Sequence, residues 1–283
     1  MHIIDSASSL QEHCRGHARD GRSIAFVPTM GFLHDGHLSL IEEGRRRAEI
    51  LVVSIFVNPL QFGEGEDLDS YPRALERDGE LCRQAGVDVL FVPNSVELYP
   101  GGFQTKVSVA GLAAGLCGAA RPGHFDGVCT VVLKLLNLVH PDLAIFGSKD
   151  FQQLQVIRAM VRDLHLDLEV VGMPIVREED GLAMSSRNAY LSPPERAQSL
   201  ALVEALRLAE AMVEVGERNT ESLREAVISH IQTRELAAID YVELVDAATL
   251  EPSPVVFSAP VLLALAVRFG STRLIDNRVL APR

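Results

Sequence analysis

Ile24-Ala25-Phe26-Val27-Pro28-Thr29-Met30-Gly31-Phe32-Leu33-His34-Asp35-Gly36-His37-Leu38-Ser39-Leu40-Ile41 is the stretch on which the rest of the chain turns. Residues 24–27 form an unbroken apolar run, as a strand covered on both faces requires, and Pro28 is expected to close it. A turn follows, and His34-x-Gly36-His37 then opens a helix carrying Leu38, Leu40 and Ile41. Strand, glycine-bearing turn and helix N-terminus are what nucleotide-binding α/β domains use to receive phosphate. Unpaired N–H groups and the positive end of the helix dipole are expected to face the anion. The two histidines, three apart, share a face if the first helical turn includes them, and Gly36 leaves room for a ligand to approach the backbone. Taken alone, a His-x-x-His string also fits surface residues, turn formers or a zinc pair. No Glu lies inside this pair in the zinc-protease pattern, and no Cys pair supplies further ligands. The context favours phosphate.

Working outward, residues 50–57 are nearly continuous apolar sequence, a second buried strand, ending in Asn58-Pro59-Leu60-Gln61-Phe62. Loops at the C-terminal ends of such strands are where open α/β sheets bind ligands. Helical residues 73–84 and an apolar run at 87–92 continue the βα alternation. Residues 97–116 are irregular and Gly-rich. Arg121-Pro122-Gly123-His124-Phe125 then makes a turn before a helix whose Val128, Val131, Val132, Leu135, Leu136 and Val139 follow helical periodicity. A strand at 143–146, a helix around Leu154 to Leu164 and a strand at 168–176 follow. At the N-terminus, Ser9-Leu10-Gln11-Glu12 has capping-box form for a short helix ending near Gly21. After Arg177-Glu178-Glu179-Asp180-Gly181, Ser192-Pro193-Pro194-Glu195 opens a long helix. A second helix covers 220–233, and strand-like runs occupy 241–245 and 261–269. The expected architecture is α/β: a Rossmann-like doubly wound parallel sheet over 1–175, with a smaller α+β lid domain over 176–283.

Composition sets the outer limits. The chain has 283 residues and is 47% apolar, enough for one large or two medium cores. Its formal charge of −12 argues against a surface built for nucleic acid. No apolar run approaches the roughly 20 residues needed to cross a bilayer, and residues 1–20 lack a secretory core. Cys14, Cys82, Cys117 and Cys129 are scattered without a Cys-x-x-Cys pair, as expected of reduced thiols in the cytosol. A soluble cytoplasmic protein without nucleic-acid or membrane partners is expected.

Pro28-Thr29-Met30-Gly31-x-Leu33-His34-x-Gly36-His37 resembles the signature of the pantothenate synthetase (pantoate–β-alanine ligase) family of HxGH nucleotidyltransferases. Four further strings resemble that family in the same order: residues 54–62, 121–125, Phe146-Gly147-x-Lys149-Asp150-x-Gln152-Gln153, and Asp180-Gly181-Leu182-Ala183-Met184-Ser185-Ser186-Arg187-Asn188. The resemblance implies ATP-dependent, AMP-forming ligation of (R)-pantoate to β-alanine through a pantoyl adenylate, with Mg2+ on the phosphates, in a homodimer. It assigns catalysis to His37, His34 and Lys149. It assigns ATP binding to Met30, His34, His37, Gly147, Lys149, Asp150, Val176, Met184, Ser185, Ser186 and Arg187. Pantoate falls to Gln61 and Gln153, β-alanine to Gln61, and the metal ligands are left unassigned.

The residue types agree with that chemistry. Phosphoryl transfer asks for positioning and for cations around developing charge. The resemblance treats His37 as proton donor, and a protonated imidazole would stabilise that charge. Lys149 would be a second cation, Asp150 would accept from ribose hydroxyls, and Arg187 would grip phosphate with two donors. Neutral Gln61 and Gln153 would orient a carboxylate without quenching it as a nucleophile. Read singly, Lys149 is a surface lysine and Ser185-Ser186-Arg187 a polar loop. Arg121 and His124 are as readily structural as ligand-binding, and Tyr71 and Asn58 are at most wall residues. The sequence departs from the family's usual pattern at Cys117, Ser148 and Asp126, which puts a secondary salt-bridge network in doubt. Another HxGH transferase would use a phosphorylated acceptor and would not need the two glutamines; a non-catalytic nucleotide sensor would not need the full set of cations.

Overall fold

The two apolar runs at 24–27 and 50–57 become neighbouring strands at the heart of a parallel sheet. The computed structural model describes residues 1–282. In chain order these give β1 (His2–Ile4), α1 (Ala7–Arg19), β2 (Ile24–Thr29), α2 (Asp35–Arg47), β3 (Ile50–Ile55), α3 (Leu75–Gln84), β4 (Val89–Phe91) and α4 (Ser95–Leu98). There follow α5 (Leu116–Ala120), α6 (His124–Val139), β5 (Leu143–Gly147), α7 (Phe151–Asp163) and β6 (Glu169–Met173). The remainder forms α8 (Pro193–Ser199), α9 (Ala201–Glu214), α10 (Thr220–Gln232), β7 (Ala237–Asp246), β8 (Val261–Phe269) and β9 (Thr272–Leu280). Short 3-10 turns occupy Pro59–Gln61, Ser148–Asp150 and Ser186–Tyr190.

By its contacts the chain divides into two compact units. The first comprises Met1–Ala110, Arg121–Ser148 and Gln153–Pro174, and it holds a parallel sheet in the order β1-β4-β3-β2-β5-β6. Successive strands move outward from β2 to β3 and β4, then resume at β5 on the other side of β2. That reversal makes β2 the switch point, where the C-terminal ends of β3, β2 and β5 present their loops at one sheet edge. Ala25, Phe26 and Val27 of β2 are wholly buried, and each large apolar side chain so placed contributes about 1.5–3 kcal/mol. The doubly wound α/β fold read from the sequence is the fold observed.

The second unit comprises Gly111–Ala120, Lys149–Gln152 and Ile175–Arg283. Its antiparallel sheet, β7-β8-β9, packs Leu263, Leu265, Val267 and Leu274 against Leu202, Leu206, Leu223 and Val227 of α9 and α10.

Several local features differ from expectation. β2 runs through Pro28 to Thr29, pairing Pro28 with Ser54. α1 is capped by Ser6, whose hydroxyl accepts from the Ser9 N–H, so it starts before Ser9. The helix opened by Ser192 has the expected Ser192–Glu195 capping box, but it is interrupted at Leu200 into α8 and α9. β1 and β9 are both additional to the strands read from the sequence. β1 is a three-residue strand paired only to β4, with His2 and Ile3 exposed, too short to carry a periodic signal. β9 carries Arg273, Asp276, Asn277 and Arg278 among its apolar residues, and Gly270-Ser271 joins it to β8 in a two-residue connection.

Candidate functional site

The loop between β2 and α2 is held from beneath. Gly31 (φ +86°) and Phe32 (φ +51°) are both left-handed; a Cβ on Gly31 would lie 2.9 Å from Ile55 Cγ2. The cost of that conformation at Phe32 is about 1–2 kcal/mol. Asp78 of α3, 1% exposed, offsets it by accepting from the N–H of Phe32 at 2.7 Å and of Leu33 at 2.8 Å. Thr29 Oγ1 donates to the Ser54 carbonyl and accepts from the Gly31 N–H, locking the loop to the end of β3.

His34 is the N-cap of α2. Its Nδ1 accepts from the Gly36 N–H at 3.1 Å, while His37 Nδ1 accepts from the His34 N–H at 3.3 Å, a reciprocal capping box. The rings lie 4.1 Å apart. This corrects the expectation of unpaired N–H groups: the Gly36 amide is taken by His34 Nδ1, and the His37 amide donates to the His34 carbonyl at 2.7 Å. With both Nδ1 atoms accepting, each ring carries its hydrogen on Nε2.

Gln61 ends the 3-10 turn after β3. Its Oε1 accepts from Asn58 Nδ2 at 3.1 Å, and its Nε2 donates to Met30 Sδ at 3.1 Å. Asn58, 1% exposed, also donates to the Gly127 carbonyl and accepts from Tyr99 Oη at 2.8 Å. Gly127 of α6 is required here, because a Cβ would fall 2.1 Å from the Leu60 carbonyl oxygen. The Gln61 carbonyl is fixed in turn by Arg121 Nη2 at 3.1 Å and His124 Nδ1 at 2.8 Å. Arg121 and His124 therefore act through the backbone of Gln61, the structural alternative left open by the sequence.

Arg121 also forks onto Glu66 at 2.6 and 2.5 Å. Burial alone pushes the Glu66 carboxyl upward, but the Arg121 hydrogen bonds, the Gly63 N–H and the charges of Arg121 and His124 outweigh it and hold it at about 2, against 4.5 ordinarily. A folded value below the unfolded one adds stability present above pH 4.5 and lost as pH falls towards about 2. Denaturant unfolding of Glu66→Gln beside the wild type is expected to show the difference in stability shrinking across that window. A constant difference would remove the clamp.

In the second unit, the Ser148–Asp150 turn carries Lys149 directly after β5, with Nζ 3.9 Å from Asp150 Oδ2. Gln152, 6% exposed, is structural: Oε1 accepts from the Cys117 N–H, and Nε2 donates to the Leu112 and Gly115 carbonyls. The adjacent Gln153, in the first unit, is half-buried on α7. The 176–188 segment folds back on itself, with the Met184 N–H on the Val176 carbonyl at 3.0 Å and the Glu178 N–H on the Leu182 carbonyl at 2.8 Å. Asn188 Nδ2 binds Glu178 and the Ala183 carbonyl, Arg196 bridges Glu178 and Asp180, and Arg177 forks onto Asp276. This frame presents Met184, Ser185, Ser186 and Arg187; Ser185 Oγ caps the following turn by accepting from the Arg187 N–H.

The structure thus joins Met30 to Gln61 directly and places His34 and His37 on the next turn of chain. Gly147 ends β5 beside them at the same sheet edge. Lys149, Asp150, Val176 and residues 184–187 group in the second unit. Sequence reasoning missed Asp78 altogether, although an acid four residues before Cys82 on the buried face of α3 was a readable signal. It also gave Asn58 too little weight. The departures have partners of their own: Asp126 meets Lys106 and Ser108, each at 2.6 Å, and Cys117 Sγ lies 3.2 Å from Tyr241 Oη.

The chain is similar to known proteins over nearly its whole length. Residues 2–279 match the sequence model of the family described as pantoate-beta-alanine ligase. The chain is 56% identical over 280 residues to the pantothenate synthetase of Geobacter sulfurreducens, covering 99% of each chain. It is 55% identical over 279 residues to that of Heliobacterium modesticaldum, with 99% of each covered. Among solved structures, Thermus thermophilus pantothenate synthetase superposes with a TM-score of 0.94 at 46% identity over all of both chains. The pantoate-beta-alanine ligase of Francisella tularensis, complexed with β,γ-ATP and β-alanine, gives 0.82 at 32% identity, covering 99% of this chain and 97% of that one.

Proposed function

The chain belongs to the pantoate–β-alanine ligase family, and from that membership and its own site we infer that it joins (R)-pantoate to β-alanine, making pantothenate while ATP becomes AMP and pyrophosphate. The observation that carries this reading is the Gln61–Met30 contact. It sets a neutral amide suited to a carboxylate at the foot of the helix whose N-terminus carries two Nε2–H imidazoles. In the first step a pantoate carboxylate oxygen bonds to the α-phosphorus, the bond to the bridging oxygen breaks, and pyrophosphate leaves. His34 and His37 donate from Nε2 to α-phosphate oxygens as their charge grows. Gln61 and Gln153 hold pantoate; giving up a thioether contact, a weak acceptor, costs Gln61 little. Lys149 supplies the point charge on the phosphates, Asp150 and Gly147 receive the ribose, Met30, Val176 and Met184 line the nucleotide, and Ser185, Ser186 and Arg187 meet the outer phosphates. In the second step the β-alanine amine, near Gln61, bonds to the acyl carbon, AMP leaves and the nitrogen loses a proton.

Magnesium fits as an ion borne by the nucleotide. Among the described residues no three His, Cys, Asp or Glu side chains gather as a cage, and magnesium on phosphates keeps waters and needs only one or two protein oxygens. It would screen charge on the β- and γ-phosphates. We further propose a cytoplasmic homodimer acting on small molecules, without nucleic-acid or membrane partners. A charge of −12 speaks against a nucleic-acid surface, and among the described residues no helix is long and apolar enough to cross a membrane; the homodimer is what the family resemblance implies.

Pantoate-dependent exchange of pyrophosphate into ATP, measured without β-alanine, tests the adenylate route. Exchange with pantoate alone, and net AMP only once β-alanine is added, is expected. Exchange that instead requires a phosphorylated acceptor would overturn it.

A further inference from the structure

Lys149 stands on a three-residue 3-10 turn, a conformation whose own hydrogen bonds are poorly aligned. Its side chain has four rotatable bonds, so its backbone must be fixed from outside if Nζ is to be delivered reproducibly. β9 does this from within the same unit. Alternate side chains along a strand face opposite ways. On one face of β9, Leu274 and Leu280 enter the core with α9 and α10, and Arg278 pairs with Glu210 of α9. Asp276 lies on that face, 2% exposed, and receives Arg177 at 2.7 and 2.9 Å; Arg177 Nη1 also donates to the Gly181 carbonyl at 3.0 Å. On the other face, Arg273 approaches Cys117 Sγ, and Asn277 Nδ2 donates to the Lys149 carbonyl at 2.8 Å.

We propose that Asn277 is a positioning residue for Lys149, setting the origin of that side chain through its carbonyl. Asn277 is 8% exposed, and its own N–H donates to Asp276 Oδ1 at 2.8 Å. The amide that holds the lysine turn is therefore anchored to the buried Asp276–Arg177 pair, and through Arg177 to the loop carrying residues 184–187. One step of strand thus ties down both phosphate-binding pieces of this unit. The inference rests on the reading of Lys149 as a phosphate ligand.

The test is a double-mutant cycle on pantoate-dependent pyrophosphate exchange and on steady-state turnover, with wild type, Asn277→Ala, Lys149→Ala and the double variant. Asn277→Ala is expected to lower kcat about 10- to 100-fold, with the KM for pantoate and for β-alanine held within about twofold. In the Lys149→Ala background the same change should cost nothing further. Losses that multiply in the double variant overturn the proposal alone, since Asn277 would then act independently of the lysine. Wild-type turnover in Lys149→Ala overturns the reading of Lys149 and this inference with it. Asn277→Asp, which keeps the shape but loses the N–H donor, is carried in parallel; it should reproduce the kcat loss, so that a folding defect in the alanine variant does not decide the outcome.

Discussion

Lys149→Ala is expected to lower pantoate-dependent pyrophosphate exchange by about 10²- to 10³-fold, the scale seen when one preorganised charge-stabilising group is removed from an active site. The reasoning is local. Lys149 lies two residues after Gly147, the last residue of β5, in the loop from which doubly wound sheets meet their ligands. Its side chain is one-fifth exposed, and among the described residues its ammonium makes a loose 3.9 Å approach to Asp150. A lysine bound tightly into a structural ion pair would be needed for folding and lost to catalysis; this one has no such bond to give up. Its removal should therefore leave the thermal midpoint near that of the wild type, while the exchange rate collapses. Lys149→Arg, which restores charge as a planar fork rather than a compact point, should recover part of the rate. Unaltered exchange in Lys149→Ala would take the residue out of the reaction.

Asp78→Ala should be almost as damaging by a different route. Its carboxylate touches no proposed ligand, but it satisfies two loop N–H groups and offsets a left-handed phenylalanine. Stranding a buried donor costs about 1–3 kcal/mol, so with two donors the stability loss should be on the order of 3 kcal/mol. The loop also sets where His34 begins, so kcat should fall by about 100-fold, the penalty for displacing reacting groups by an ångström. Asp78→Asn keeps one acceptor oxygen and should lie between. Urea unfolding and exchange kinetics on the same preparations check both effects. Loss of stability with full activity would mean that the histidines are set by their own capping box alone.

The parts of this molecule that announce themselves in sequence are those with a repeating physical signature. β2 and β3 are continuous apolar runs because both faces are buried, and α6 shows its period because one side meets the sheet. The His-x-Gly-His string was legible as a helix start, and the reciprocal cap observed there is its local chemistry. What the string could not disclose is which ring nitrogen the cap would consume, since that depends on loop geometry. Asp78 lies 41 residues beyond His37 and works by tertiary contact. β9 was hidden for a related reason. Its Asp276 and Asn277 look like surface residues until Arg177 and Lys149, far back in the chain, arrive to satisfy them.

The makeup of the second unit bears on how the polypeptide is synthesised. Its pieces, Gly111–Ala120 and Lys149–Gln152, leave the ribosome well before Ile175–Arg283, which completes it. Until β7 emerges Cys117 lacks Tyr241, and until β9 emerges the Lys149 carbonyl lacks its amide. Severing the chain at residue 175 would therefore not release a self-sufficient module, because the carboxy-terminal fragment would leave behind the segments its inner strand surface was shaped to receive. Sequence boundaries drawn for expression, fusion or permutation should follow these stitched contacts rather than the change in composition.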